Sequence, residues 1–460
     1  MKSEWETYKL SNLCDIGSSK RIFQHEYVNN GIPFLRSKEV IDKALGSFEP
    51  KDLLFISHEK FNEIKSKYNI PKAGELLLSS VGNRSGIPYV IKEADGDFYF
   101  KDGNLTWFKN FKSLDSNFLF YWINSSVGQN TLNGIMIGSA QKALTISGLQ
   151  NLTLTIPPLP IQKKIAHVLS TLDDKIELNR KMNQTLESMA SAIFKSWFVD
   201  FDPVHAKANC TDEAEFENIA KELGISKEIL DLFPSEFQTS ELGMIPKGWK
   251  WKSFGELLTN TIGGDWGQDE ADEKHTEKVR IIRGTDIPDI KNSTIKNVPI
   301  RFVESKKLAT RKLFDGDIVI EISGGTKNQP TGRSLYVINE MLNVLDGEVE
   351  PASFCRLFRP INKEIGLMLA QHLAYIYGIG LTWNYQNQST GISNFQTTTF
   401  LEKEFVVVPN DEIQKRFFSL VRPLIEKSFS AENITLQKTR DTLLPKLLSG
   451  EIDVSELEIL

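Results

Sequence analysis

The stretch "IPPLPIQKKIAHVLSTLDDKIELNRKMNQTLESMASAIFKSWF" (156–198) sets the frame for the rest of the chain. Its prolines end a strand, because proline fixes φ and cannot donate to a ladder, and they suit the approach to a helix. The apolar period then changes. Ile165, Leu169, Leu172, Ile176, Asn179, Asn183, Leu186, Ala190, Ile193 and Trp197 recur at steps of four and three. That is a heptad seam with two asparagines in its middle, and it predicts a helix far longer than a short core helix needs. At 1.5 Å per residue, some 35 residues make a rod of roughly 50 Å.

The same opening is written again. In "VVPNDEIQKRF" (407–417), Pro409, Ile413, Gln414 and Lys415 repeat Pro157, Ile161, Gln162 and Lys163. Working back from both copies, "SEWETYKLSNL" near the start is answered by "KGWKWKSFGELL" (247–258), with Trp5 over Trp249 and Leu13 over Leu257. "IPFLRSKEV" (32–40) is answered by "VRIIRGTDI" (279–287), "AGELLLSSVG" (73–82) by "DGDIVIEISGG" (315–325), and "PYVI" (88–91) by "LYVI" (335–338). Order and direction are kept while surface loops gain and lose residues, so half the chain is a tandem duplicate of the other. Each half reads as short strands between turns, "ELLLSS" and "DIVIEIS" being brief apolar runs after Ala-Gly and Asp-Gly. The second helix, Ile413 to Leu448, keeps Phe417, Leu424, Ile425, Phe429, Leu436, Leu443 and Leu447. Pro423 and Pro445 are expected to kink or fray it. The two seams are expected to bury against each other in antiparallel pairing, with Asn179 and Asn183 helping to fix register. The expected fold class is mixed α and β: two similar bodies joined by two long helices.

Composition sets bounds on function. A chain of 460 residues exceeds one typical core. No segment approaches the ~18 apolar residues of a membrane span, and "MKSEWETYKL" offers no apolar core for a signal peptide. Cys14, Cys210 and Cys355 are distant and odd in number, which argues for a reducing, cytoplasmic setting. The net charge of −6 is uneven. Residues 200–245 hold eleven acids against three lysines, net −8, so the remainder carries +2. That mild basic bias is compatible with phosphate contact.

Catalytic signatures are scarce. The six histidines show no HxxxH or HExxH spacing, and no cysteine pair suits zinc. "GGTKNQPTGRS" is not a phosphate loop, since six residues rather than four separate Gly325 from Gly332, and Arg333 rather than lysine follows. Pro288-Asp289 followed by Glu304-Ser305-Lys306 matches the loose PD…ExK pattern of Mg²⁺-dependent nucleases, a short pattern with no counterpart in the other half. The dearth of catalytic residues favours recognition and assembly, with a Mg²⁺ nuclease or a coiled-coil adaptor without a DNA role as alternatives.

Three longer stretches carry a family resemblance: "IPPLPIQKKIAHVLSTLDDKIELNRKMNQTLESMASAIFKSWFVDFDPVHAKA" (156–208), "LFPSEFQTSELGMIPKGW" (232–249) and "TRDTLLPKLLSGEI" (439–452). Together with the repeat, the chain resembles the specificity (S) subunit of type I restriction–modification systems. The resemblance implies target recognition domains at 1–155 and 246–409 and spacer helices at 156–199 and 410–450, the second followed by a tail to 460. An acidic linker at 200–245 would join the first helix to the second body. It implies a non-catalytic subunit that reads double-stranded DNA and docks two modification subunits, which bind S-adenosylmethionine and methylate adenine. ATP- and Mg²⁺-dependent restriction subunits would join them, while this chain holds no cofactor or metal and shows no Asn-Pro-Pro-Tyr or helicase motif. Two non-identical readers on one rod would touch two different short sequences about one DNA turn, ~34–36 Å, apart. Base readout uses Arg or Lys on guanine and Asn or Gln on adenine. The candidates are Arg36, Asn83, Arg84, Gln141 and Lys142 in the first body. In the second they are Arg283 beside Thr285, Lys327, Asn328, Gln329, Arg333 and the run Gln386, Asn387 and Gln388.

Overall fold

The computed structural model describes residues 5–46, 48, 50, 52–138, 142–210, 212–326, 329–389, 392–429 and 431–458. Chain contacts divide it into two compact units, one of residues 1–175 with 436–460 and one of residues 176–435.

In the first unit, the apolar run Leu76–Ser79 is buried on both faces and takes the interior of a four-stranded antiparallel sheet. The strand order is Asp15–Gly17, Leu105–Lys109, Leu76–Ser79, Pro88–Val90. A second sheet sets Ile32–Leu35 antiparallel to Leu54–Ile56 and parallel to Tyr99–Phe100, with Leu35 opposite Phe100. A two-stranded ribbon pairs Glu6–Lys9 with Thr153–Ile156.

The second unit repeats this plan. Its four-stranded antiparallel sheet runs Leu258–Gly263, Cys355–Pro360, Ile318–Glu321, Ser334–Tyr336. Its second sheet sets His275–Ile282 antiparallel to Ile300–Glu304 and parallel to Glu348–Pro351, with Ile282 opposite Pro351. The ribbon recurs as Lys250–Ser253 with Phe405–Val408. Even the caps correspond. The Asp115 side chain accepts from the Phe118 amide at 2.9 Å to start helix Ser116–Asn124, and the Asn362 side chain accepts from the Ile365 amide at 2.8 Å to start helix Lys363–Gly378. The acidic stretch between first helix and second body carries helices Asp202–Ala208, Glu213–Glu222 and Lys227–Asp231 and a hairpin of Phe237–Ser240 with Gly243–Pro246. It feeds Val204, Ile229, Phe233 and Ile245 into the core of the second unit.

The quoted stretch folds as α1 (Leu159–Phe198), a single helix of 40 residues. The repeated turn before it has a physical basis in both copies. The buried Gln162 Nε2 donates to the Pro157 carbonyl at 2.8 Å, and the buried Gln414 Nε2 donates to the Pro409 carbonyl at the same 2.8 Å. That amide satisfies a carbonyl stranded by the proline turn, which is why glutamine recurs with the prolines. The second helix departs from expectation. It is two helices, α2 (Asp411–Ser428) and α3 (Ala431–Leu448), and both prolines lie inside them rather than at the break. The chain leaves helical geometry at Phe429 (φ −92°, ψ 101°), whose ring is buried in the core of the second unit. Ring burial, not proline, ends the helix.

Among the described residues no helix is long and apolar enough to cross a membrane.

Candidate nucleic-acid interface

In the first unit, Asn83 and Arg84 lie exposed in the turn joining Leu76–Ser79 to Pro88–Val90. The turn is tied down from beneath: Ser79 Oγ donates to the Arg84 carbonyl at 2.6 Å and accepts from the Ile87 amide at 2.9 Å. Lys142, also exposed, comes from a segment 60 positions later, and its carbonyl accepts from the Gly82 amide at 3.1 Å beside a bridge between Val81 and Ala143. The fold therefore brings Asn83, Arg84 and Lys142 onto one rim. Arg84 is 55% exposed, with Asp42 3.7 Å away. Gln141 lies outside the described residues.

The second unit gathers the corresponding loops more tightly. Ser323–Gly324 pairs with Ile392–Phe395, which pairs with Gln386–Ser389. Asn387 is exposed on that small sheet. Gln386 faces inward, its side-chain oxygen accepting from the amide of buried Thr331 at 2.9 Å. Lys327, Asn328 and the Gln388 side chain lie outside the described residues. Gln329, half-buried, closes a turn by accepting from the Thr326 amide at 2.8 Å through its backbone carbonyl.

The arginines are placed differently from exposed base readers. Arg36 grips Glu39 through its Nε at 2.9 Å and through its terminal nitrogen, while Glu39 also accepts from the Arg36 amide at 2.7 Å. Burial would raise the Glu39 carboxyl, but the Arg36 and backbone donors outweigh it and hold it below its ordinary range. Arg283 forms the same clamp on buried Asp286, at 2.9 and 2.7 Å, and its bonds to that acid hold the guanidinium above its ordinary value. Arg333 is bidentate to buried Glu321 at 2.8 and 2.7 Å. Bidentate pairs on buried carboxylates are strong, so in this structure these forks brace the strand ends. The acid three residues after each arginine, Arg36-Ser-Lys-Glu39 and Arg283-Gly-Thr-Asp286, was the sequence signal for the first two clamps. Glu321 and Arg333 stand twelve positions apart across a hairpin and gave no such signal.

The helix seams are described within each unit. In the first, Ile165 and Leu169 share a core with Leu447 and half-buried Leu443, and Arg440 pairs with Asp173 at 2.7 Å. Leu172 and Leu436 are half-buried. In the second, Ile176, Asn179 and Asn183 are buried, and Leu186, Ile193 and Leu424 are half-buried. Asn179 Nδ2 donates to Asn433 Oδ1 and to Glu432 Oε2, both at 2.8 Å. Further along, Trp197 and Phe198 pack on Phe417, the Phe198 and Phe417 rings lying 4.8 Å apart. As positions rise on α1 they fall on the partner helices, so the pairing is antiparallel within each unit. Phe194 is 2% exposed and takes the core place given to Ile193. A straight helix turns every 3.6 residues and drifts ~20° per heptad from a strict 3.5 repeat, which moves the seam by one residue over this length.

The nuclease-like pattern does not assemble. Asp289 is hydrogen-bonded by Asn297 at 3.3 Å, while Glu304 faces His275 at 3.9 Å and Lys307 at 3.6 Å. Among the described residues no group of three or more His, Cys, Asp or Glu is placed to hold a metal ion.

Comparison with known proteins agrees with this architecture. Residues 2–188 match the family model described as the type I restriction modification DNA specificity domain. The chain is 27% identical to the HindI specificity subunit of Haemophilus influenzae, over 98% of this chain and 100% of that protein. It is also 27% identical to the MjaIX specificity subunit of Methanocaldococcus jannaschii, over 99% of this chain and 95% of that one. Its fold is like that of the S subunit of a type I restriction–modification system from M. genitalium, with a TM-score of 0.53, 17% identity and 96% of each chain covered. Duplicated bodies, paired helices and relatives matched end to end agree: the chain is similar along its length to type I restriction–modification specificity subunits, and residues 2–188 match their DNA specificity domain.

Proposed function

We propose that this chain is the DNA specificity subunit of a type I restriction–modification complex and does no chemistry itself. Its two units read two different short sequences, so the site is bipartite and asymmetric. The observation that carries this is the repeat of sheet order and register in the two units beneath loops of different composition. Leu35 opposite Phe100 and Ile282 opposite Pro351 mark the same register, while "SVGNRSGI" and "SGGTKNQPTGRS" fill the corresponding loops. Equal scaffolds hold unequal loops at equal places, which is what reading two sequences with one chain requires.

The reading residues are Asn83, Arg84 and Lys142 in the first unit, and Asn387 with Lys327, Asn328 and Gln329 in the second. Arg36, Arg283 and Arg333 position those rims through their carboxylates. The helices α1 to α3 dock two modification subunits, and restriction subunits join the assembly through them. S-adenosylmethionine, ATP and Mg²⁺ act on those partners, and the complex works in the cytoplasm.

The test is methylome sequencing of a host expressing this chain with its modification subunit. Two short defined blocks around a fixed unspecified gap are expected. A single contiguous motif, or Mg²⁺-dependent cleavage by the purified chain alone, would overturn the reading.

A further inference from the structure

The second unit contains a cleft of about 560 Å³ that no reading loop accounts for. Trp266 and Phe354 wall it, 38% and 63% exposed, and Glu321 lies at its floor, 3% exposed. The volume is within the ~300–1,000 Å³ of small-molecule sites. Two large aromatic rings left in solvent beside a buried carboxylate form an amphipathic recess.

The cleft is built around Glu321. A Cβ added to Gly284 would stand 2.5 Å from Glu321 Oε1, and one added to Gly324 (φ +145°) would stand 2.7 Å from the same atom. Side chains at both positions would collide with the carboxylate, so both glycines keep room for it. Arg333 holds each oxygen of Glu321 by one hydrogen bond. A carboxylate oxygen has two lone pairs, so acceptor capacity remains toward the cleft.

Among the described residues the first unit has no such arrangement. Glu321 lies opposite Cys355 in its sheet, and Ser79 lies opposite Leu105 at the corresponding place. Ser79 spends its hydroxyl on the local turn, and Asn104 stands where Phe354 does. The cleft thus marks a chemical difference between two otherwise matched scaffolds. It borders Arg283 and the Ser323–Gly324 strand, on the side that carries the candidate reading loops.

We infer that this cleft is a specificity determinant of the second unit that takes a base bearing an exocyclic amino group, cytosine or adenine. The base leaves the duplex stack to enter the cleft, its face rests on Trp266 or Phe354, and its amino group donates to Glu321. Carboxylates accept from cytosine N4, and bases stack on aromatic side chains in a sequence-tolerant way that leaves selection to the acceptor. The inference rests on the proposed DNA-reading function.

The experiment uses the full chain in complex with its modification subunit and duplexes carrying the site defined by methylome sequencing. At each position of the second block, adenine is replaced by purine or cytosine by 2-pyrimidinone, which removes only the amino group. Binding of wild type should fall about 10-fold or more at one position. In Phe354→Ala and Trp266→Ala that sensitivity should shrink to under about threefold while the first block is read as before. Both side chains are on the surface, and Phe354→Tyr should keep the wild-type response. Undiminished amino-group sensitivity in both alanine variants overturns the cleft assignment while leaving the bipartite site standing. Failed assembly of the alanine variants with the modification subunit overturns it in favour of protein docking. A wild-type complex that binds no duplex selectively overturns the proposed function itself.

Discussion

Two asparagines four residues apart in α1 should respond to the same substitution with opposite signs. Asn179 and Asn183 are each 5% exposed. The amide of Asn179 is fully engaged, donating at 2.8 Å to both Asn433 Oδ1 and Glu432 Oε2. Asn183 Nδ2 has no hydrogen-bond partner among the described residues. A typical intramolecular hydrogen bond stabilises by ~1 kcal/mol and a charged one by somewhat more, whereas a buried unmatched polar group costs ~1–3 kcal/mol. Asn179→Leu removes both bonds and leaves the fully buried Asn433 short of its partner, so it should destabilise the second unit by about 2 kcal/mol. Asn183→Leu removes an unmatched amide from an apolar seam and should stabilise by about 1 kcal/mol. With a shift of roughly 2–4 °C per kcal/mol for a body this size, calorimetry should show a drop of about 4–8 °C and a rise of about 2–4 °C. Asn179→Leu combined with Asn433→Leu should recover most of the loss, since the stranded partner is gone. If both single variants lower the transition equally, Asn183 is as well satisfied as Asn179 and the assigned asymmetry of the seam is wrong.

Glu350 is fully buried, and among the described residues neither of its carboxylate oxygens has a hydrogen-bond partner; burial, with Asp265 nearby, pushes its carboxyl up to about 7. The folded state therefore holds a proton that the unfolded state releases near pH 4.5, so stability falls as pH rises from there through 7. Glu350→Gln should match wild type near pH 5 and exceed it at pH 8 by up to about 3 kcal/mol in urea unfolding, and a pH-independent difference would refute this. Cys14 and Cys355 are buried, with thiols pushed up to about 12 by burial, while Cys210 is half-buried. Iodoacetamide at pH 8 should label Cys210 in the native chain and the other two only after unfolding, as read by mass spectrometry. Asn83→Ala with Arg84→Ala should blur the first block of the recognised site and spare the second, and Asn387→Ala should do the reverse. Loss of a good base contact costs ~1–3 kcal/mol, enough to show in methylome sequencing, and blurring of both blocks by either change would make the rims structural.

Sequence alone established what depends on short spacing and on self-comparison. The duplication was visible because both copies need the same strand end, proline turn and glutamine, and Gln162 and Gln414 make the same bond in each. The long helix was visible because its apolar period persists from Ile165 to Trp197, whereas Arg36 and Arg283 read as base contacts and only the structure shows them clamped on Glu39 and Asp286. Tertiary structure decided what depends on chain segments meeting from afar. Asn433 completes Asn179 from 254 positions away, Arg333 meets Glu321 across a hairpin, and Trp266 and Phe354 line one cleft at the same end of a sheet from distant parts of the chain. The helix broke at Phe429, not at either proline, because burying a ring in a core formed by the whole second unit outweighed local backbone preference. Local rules act through bonds and neighbours three or four residues apart, so they leave a periodic trace. Which side chain meets which across a sheet is fixed only when loop closure brings the strands together, and no spacing in the chain records it.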